Sequence, residues 1–228
     1  MLAPSMTSMV RDVQPSPLST LSEIDRRAVL KTMMRRTYHK GETLFHEGES
    51  GNQFYLIDRG RVAIRVSTAL GDVVTLTVLG PGESFGEQAL LDDSATRTAS
   101  AVAVEPLEVR TLHRQNFDEL RRKHAAVDRL LVELLAAQVR RLTAQLLEAL
   151  YLPVDRRMMR RLADLAVLYG ASGEIDIPLR QDDLASMAGT TRPTANRILR
   201  KLQDSGVIAL RKGHVRILDL ESLATRAG

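Results

Sequence analysis

From Asn116 to Leu150 the chain has neither proline nor glycine, and Val132, Leu135, Val139, Leu142, Leu146 and Ala149 recur there at alternating steps of three and four. That spacing predicts one long helix with a coiled-coil face. Leu152-Pro153-Val154-Asp155 ends it and reads as a hinge, because proline lacks the N–H that the next helical turn needs. Leu130, Leu131, Leu134 and Leu147 widen the apolar surface, so one side can cover a neighbouring domain while the seam meets a second copy. A helix packed only on its own domain fits the same pattern. The 228 residues are enough for two modest domains, one on each side of this helix.

Before the helix the periodicity is different. Ser22 to Met34 has Ile24, Ala28, Val29 and Met33 at helical spacing behind a serine cap, and predicts a short helix. Strand-like runs follow at Glu42–Phe45, Gln53–Ile57, Arg61–Val66, Val73–Leu79 and Ala99–Thr111. Gly48, Gly51, Gly60, Gly71 and Pro81-Gly82 punctuate them, as in an antiparallel sandwich or roll. Within it, fifteen residues from Phe85 to Ala99 bring together Gly86, Glu87, Arg97 and Thr98. A phosphodiester needs a forked cation, a small hydroxyl and backbone N–H groups that glycine leaves open, and a ribose hydroxyl needs a carboxylate acceptor.

After the hinge, Arg156–Tyr169 reads as a helix and Glu174–Pro178 as a short strand. Gln181–Met187, the turn Ala188-Gly189-Thr190 and Thr191–Gln203 read as helix, turn, helix. Val207–Leu210 and His214–Leu218, joined at Arg211-Lys212-Gly213, make a hairpin beside it: a winged helix-turn-helix. Ala185, Met187, Ala195, Ile198, Leu199 and Leu202 form the packing face, which leaves Gln181, Thr190, Arg192, Thr194, Asn196, Arg197, Arg200 and Lys201 for solvent or DNA. On the wing, Arg211, Lys212, His214 and Arg216 suit phosphate. From Tyr151 onward there are 13 Arg and Lys against 9 Asp and Glu, a surplus equal to the whole chain's net charge of +4, so a polyanionic partner belongs at this end.

The absence of cysteine excludes disulfides, thiolate chemistry and cysteine-ligated iron–sulfur or haem centres. No Gly-x-Ser-x-Gly, Walker loop or histidine pair supplies an active site or a metal site, so the expectation is a non-enzyme without cofactor. Met1–Thr20 lacks the charged and apolar regions of a signal peptide and reads as a disordered tail. No uncharged run approaches the ~20 residues of a membrane span, and the expected location is cytoplasmic.

The spacing from Gly86-Glu87 to Arg97-Thr98 resembles the phosphate-binding cassette of cyclic-nucleotide-binding domains, and Leu184–Leu199 resembles a known recognition unit. Together they make about residues 20 to 220 similar to the CRP/FNR family of bacterial transcription regulators. The resemblance implies an α+β protein with a β-roll over 21–115, a dimerisation helix over 116–151 and a winged helix-turn-helix domain over 152–228. It also implies a cyclic nucleotide, cyclic AMP before cyclic GMP, held by Gly86, Glu87, Gln88, Ala89, Arg97 and Thr98, with Arg141, Gln145 and Thr77 nearer the base. Where cyclic-AMP-responsive members carry consecutive Thr and Ser, this chain has Gln145 and Leu146, and leucine cannot hydrogen bond. A regulator that acts without the nucleotide therefore stays open as the alternative, ahead of a nucleotide-regulated enzyme. The implied partners are a palindromic double-stranded operator, a second copy of the chain and RNA polymerase. Thr190, Arg192, Thr194, Asn196, Arg197, Arg200, Lys201 and Lys212 would contact the DNA. Pro193 stands where the family frequently has a cytosine-reading Glu, so the half-site should differ.

Overall fold

A computed structural model of the chain describes residues 17–69, 71–91, 94–170 and 174–227. Most of the tail expected over Met1–Thr20 lies outside the described residues. Its end, Pro17–Thr20, is a 3₁₀ turn with Leu18 buried. The chain divides into two compact units, one over most of 14–143 and the other over 144–228.

In the first unit, α1 (Glu23–Thr32) is capped by Ser22, whose side chain accepts from the Asp25 N–H. Eight strands follow: β1 (Met34–Tyr38), β2 (Thr43–Phe45), β3 (Gln53–Arg59), β4 (Val62–Ser67), β5 (Val73–Leu79), β6 (Ser84–Phe85), β7 (Ser100–Ala103) and β8 (Leu107–His113). They form two sheets ordered β1-β8-β3-β6 and β2-β7-β4-β5. Alternation along β3 serves two cores at once, because successive side chains point to opposite faces. Tyr55 and Ile57 join Val62, Leu79, Phe85, Ala101, Leu107 and Val109 in one cluster. Phe54 and Leu56 join Leu18, Val29, Phe117, Val127, Leu130 and Leu131 in another. The run Ala99–Thr111, read as one strand, is two: β7 pairs with β2 and β4, whereas β8 pairs with β1 and β3. The chain changes sheet at Val104-Glu105-Pro106, where the proline has no N–H to give a ladder.

The helix expected from Asn116 is also interrupted. Helix α2 (Arg114–Lys123) stops at His124, which takes φ −135 and ψ 94, and α3 runs from Ala126 to Tyr151. No helix breaker marks the spot. The His124 ring leaves the helix to meet α1, its Nδ1 lying 2.8 Å from Asp25 Oδ1. The change of direction lets Phe117 and Leu120 of α2 share one core with Val127, Leu130 and Leu131 of α3. Tertiary burial here overrides local propensity.

The second unit holds α4 (Val154–Tyr169), β9 (Ile175–Ile177), α5 (Gln181–Met187), α6 (Arg192–Asp204), β10 (Ile208–Arg211), β11 (His214–Ile217) and α7 (Leu220–Ala227). The strands are ordered β10-β11-β9, all antiparallel. Met158, Leu162, Ile177, Leu184, Leu199, Val215 and Leu223 are buried in its core. Helix α7 was not anticipated from the sequence.

Gly60, between β3 and β4, has φ +82, and an added Cβ would lie 2.3 Å from Pro106 O and 2.9 Å from Leu107 Cα. Both neighbours are backbone and cannot yield cheaply. Gly60→Ala should lower unfolding stability by about 2 kcal/mol or more, from left-handed strain plus overpacking. Urea denaturation reads this out, and a change under about 0.5 kcal/mol would refute the contact.

Asp25 offers a pH test. The Ser22 hydroxyl, first, and the His124 ring hold its carboxyl below the ordinary value of 3.8. A depressed carboxyl stabilises the fold above that value, and the contribution is lost as pH falls through the lower folded value. Asp25→Asn should therefore flatten the fall of melting temperature below about pH 4 relative to wild type. Parallel melting curves would deny this clasp a part in acid stability.

Candidate functional site

The first arm of the candidate site begins at Gly86. Phe85 of β6 pairs with Tyr55 of β3, and Gly86 then turns the chain with φ 77 and ψ 22 into a 3₁₀ turn over Glu87–Leu90. Ala89 and Leu90 are buried and anchor the turn. Glu87 is half-buried and Gln88 exposed.

The second arm is held by the loop after β2. Arg97 N donates to Glu49 O at 2.7 Å, Gly48 N to Arg97 O at 2.8 Å and Gly51 N to Ala95 O at 2.9 Å. Ser50 and Thr96 form an antiparallel bridge between these bonds. The Arg97 side chain turns inward and is only 8% exposed. Its Nη2 donates to Gln53 O at 2.8 Å, its Cζ lies 4.1 Å from the Phe45 ring centroid, and its Nε is buried without a hydrogen-bond partner among the described residues. Burial pulls its pKa below the ordinary arginine value, against the opposing influence of Tyr55, Glu49 and Glu87. A guanidinium so placed is a cation with donor capacity to spare.

Around it opens a cleft. Gly86, Glu87, Gln88, Ala89, Arg97, Thr98 and Arg141 all line it, so seven of the nine ligand residues named from the sequence come together. Thr77 and Gln145 are not among its lining residues. Asp92 and Asp93, between the two arms, lie outside the described residues. Phe45, Gly51 and Gln138 line the cleft and were missed. Gln138 precedes Arg141 by three positions on α3 and accepts a hydrogen bond from its Nη2. The i, i+3 neighbour of a named residue is the signal that would have found it. Phe45 gave no such sign, since an aromatic in a strand reads as core.

In the second unit, α5 and α6 are joined at Gly189, φ 61, and Thr190 N donates to Ala185 O at 2.9 Å across the turn. Ala195, Ile198, Leu199 and Leu202 of α6 are buried. Arg192, Arg197, Arg200 and Lys201 are exposed, and Thr190, Thr194 and Asn196 half-buried. Pro193 sits in the first turn of α6, where its missing N–H costs no helical bond. Asn196 Nδ2 donates to Gln181 Oε1 at 2.8 Å, and Arg192 Nε lies 3.2 Å from Asp182 Oδ1. On the wing, Arg216 donates to Glu174 at 2.9 Å, while Arg211 and Lys212 stand exposed at the hairpin tip.

Three α4 arginines reach back to the end of α3 and across to the turn. Arg157 donates to Leu152 O at 2.9 Å, Ala188 O at 2.9 Å and Gly189 O at 3.2 Å. Arg160 and Arg161 both pair with Glu148. The last turn of α3 is thereby bonded to the helix-turn-helix itself, beyond the Pro153 break.

Among the described residues no helix is long and apolar enough to cross a membrane, and no group of three or more His, Cys, Asp or Glu is arranged to hold a metal ion.

Comparison with known proteins gives matches at both ends. Residues 35–124 match the cyclic nucleotide-binding domain and residues 156–226 the Crp-like helix-turn-helix domain. The cyclic AMP receptor protein of Thermus thermophilus is 35% identical over 198 residues, 86% of this chain and 90% of the relative. A CRP-like cAMP-activated global transcriptional regulator of Mycobacterium tuberculosis is 29% identical over 219 residues, 94% of each chain. Among solved structures, the Thermus thermophilus catabolite activator protein aligns at TM-score 0.54 and 34% identity, over 93% of this chain and 98% of that one. The c-di-GMP responsive global regulator CLP of Xanthomonas campestris aligns at TM-score 0.71 and 23% identity, over 86% and 99%, a likeness of fold.

Proposed function

The chain belongs to the CRP/FNR family of transcription regulators, and from that premise we propose a homodimeric, sequence-specific DNA-binding regulator whose operator affinity is set by a cyclic nucleotide, cyclic AMP first, held in the N-terminal cleft. The observation that carries the reading is Arg97, a buried cation in the cleft wall whose Nε has no hydrogen-bond partner among the described residues. An uncompensated buried charge is costly, and a phosphodiester anion repays it with charge-assisted hydrogen bonds. Glu87 accepts from a ribose hydroxyl, Gly86 leaves the backbone approachable, and Thr98 offers a hydroxyl. Arg141 and Gln138 face the same space from α3. Thr77 and Gln145 stand outside that lining, so the reading rests on the others.

Helix α3 supports both the dimer and the coupling. Val139, Leu142 and Leu146 of the seam are 62%, 52% and 59% exposed in the single chain, a contiguous apolar strip of the kind that marks an interaction surface. Leu135 instead packs on the core. A ligand drawing on Arg141 acts on the helix that carries the seam. It changes DNA affinity only as far as it binds the DNA-competent arrangement more tightly. A twofold dimer sets two recognition helices on half-sites about one helical turn apart.

Calorimetric titration of wild type with cyclic AMP, cyclic GMP and c-di-GMP should show binding strongest for cyclic AMP. Arg97→Ala should weaken it by about ten- to a hundredfold, the worth of hydrogen bonds to a charged group. An alanine variant that binds as well as wild type would remove Arg97 from the site. Equal operator affinity with and without nucleotide would leave a ligand-independent regulator.

At the DNA end, with an operator selected from random sequence, Arg197→Ala should cost about 1–3 kcal/mol and relax preference at one position of each half-site. Lys212→Ala should weaken all sequences alike and reduce the salt slope by about 1 per subunit. Fluorescence anisotropy across salt separates the two, and a uniform loss for Arg197→Ala would demote it to a phosphate contact.

A further inference from the structure

We propose that Phe45 is a positioning residue for Arg97, an aromatic shelf that holds the guanidinium flat and so sets how tightly the cleft takes a phosphodiester. The inference rests on the reading of this cleft as a cyclic-nucleotide site.

Arg97 is a buried cation, yet among the described residues no carboxylate lies within ion-pair distance of it. Glu49 and Glu87 favour its charge from farther off and Gln53 O accepts from one corner, while the ring of Phe45 lies directly against it, its centroid 4.1 Å from Cζ, with that of Tyr55 at 5.6 Å. The attraction is that of a cation for the negative face of a ring, and it is strongest where water is excluded. Phe45 ends β2 opposite Ala101 and is itself wedged in an aromatic cluster. Its centroid is 5.5 Å from Tyr55 and 6.0 Å from Phe85, and those two rings stack at 4.9 Å and 5°. The shelf is therefore rigid.

Glycines close the slot. A Cβ added to Gly51 would lie 3.0, 3.1 and 3.2 Å from Arg97 Nε, Cζ and Cδ. Near-equal distances to three consecutive atoms put Gly51 over a flat surface of the guanidinium rather than at its edge. At Gly86 the nearest Arg97 atom to an added Cβ is Nη1, at 2.7 Å. Gln53 O holds the Nη2 corner at 2.8 Å. With Phe45, Gly51 and Gly86 close against it and one corner anchored, the group has little room to turn.

The chemistry explains why an aromatic suits this position. Phosphate oxygens bind guanidinium in its plane, through the forked N–H donors. A carboxylate neutralising Arg97 would occupy those same donors and compete with the ligand. A ring stabilises the charge from above and leaves the donors alone. It also removes rotamer freedom before the ligand arrives, which lowers the entropic cost of binding.

The test uses the full-length protein with ¹⁵N-labelled arginine, and compares wild type, Phe45→Leu and Phe45→Tyr. Leucine keeps apolar bulk without a ring, and tyrosine restores the ring. Without ligand, the Arg97 Nε–H resonance of wild type should carry a ring-current shift that Phe45→Leu loses and Phe45→Tyr retains. In titration with cyclic AMP, Phe45→Leu should bind about three- to thirtyfold more weakly, and Phe45→Tyr within about twofold of wild type. An Nε–H resonance unmoved by Phe45→Leu overturns the shelf, as does undiminished affinity in that variant. An equal loss of affinity in both variants assigns the effect to packing and also overturns it. If wild type binds no cyclic nucleotide, the reading of the cleft falls, while the ligand-free resonance still decides whether Phe45 positions Arg97.

Discussion

A guanidinium buried without an ion-pair partner among the described residues governs the architecture around it. Taking the Arg97 charge out of water is unfavourable, and each nearby feature offsets part of that cost. The 48–51 loop fixes the Arg97 backbone from one side through paired main-chain bonds. The carbonyl of Gln53, at the first position of β3, takes one corner of the cation, and the Phe45 ring covers it. Gly51 and Gly86 supply clearance that no side chain would leave. Strands β2, β3 and β6 thus converge on a single atom group. The site is a property of the sandwich, with the 3₁₀ turn that begins at Gly86 only one of its walls.

The second unit solves a different problem: presenting cations to solvent from a rigid frame. Helix α6 buries Ala195, Ile198, Leu199 and Leu202 on one side and exposes Arg197, Arg200 and Lys201 on the other. Side-chain bonds at its start, Gln181 to Asn196 and Asp182 to Arg192, tie the first turn of α5 to the first turns of α6. Arg157, bonded to the Leu152 carbonyl just before Pro153 and to the Ala188 and Gly189 carbonyls in the turn, joins the end of α3 to the helix-turn-helix. Coupling between a ligand and DNA requires an element with two arrangements that both ends bias. These bonds tie the end of α3 into the unit that carries the helix-turn-helix.

What was legible beforehand follows the range of the interaction. The bounds of α5, the turn at Gly189 and the packing face of α6 depend on residues within a turn or two. They were read to within a residue. The break between α2 and α3 was not legible, because His124 leaves the helix for Asp25, 99 positions away. Likewise, Ala99–Thr111 carries strand-forming residues throughout, and only the pairing of its halves with different sheets divides it. At the site, Arg97 and Glu87 announce themselves by chemistry and spacing. Phe45 does not, since its role comes from lying beneath a cation 52 residues downstream.

By itself, the sequence determined the two-unit plan, the winged helix-turn-helix and the residue types gathered at Gly86, Glu87, Arg97 and Thr98. Periodicity, glycine conformation and turn chemistry are local, and they survive in the one-dimensional record. Only the tertiary structure decided which lining residues meet. It placed Gln138 in the cleft and left Gln145 out of its lining, turned Arg97 inward onto Phe45, and bonded the tail of α3 to α4. Those outcomes depend on the packing of two sheets and on burial at the α2–α3 turn, energies summed over contacts distant in sequence, so that no local pattern encodes them.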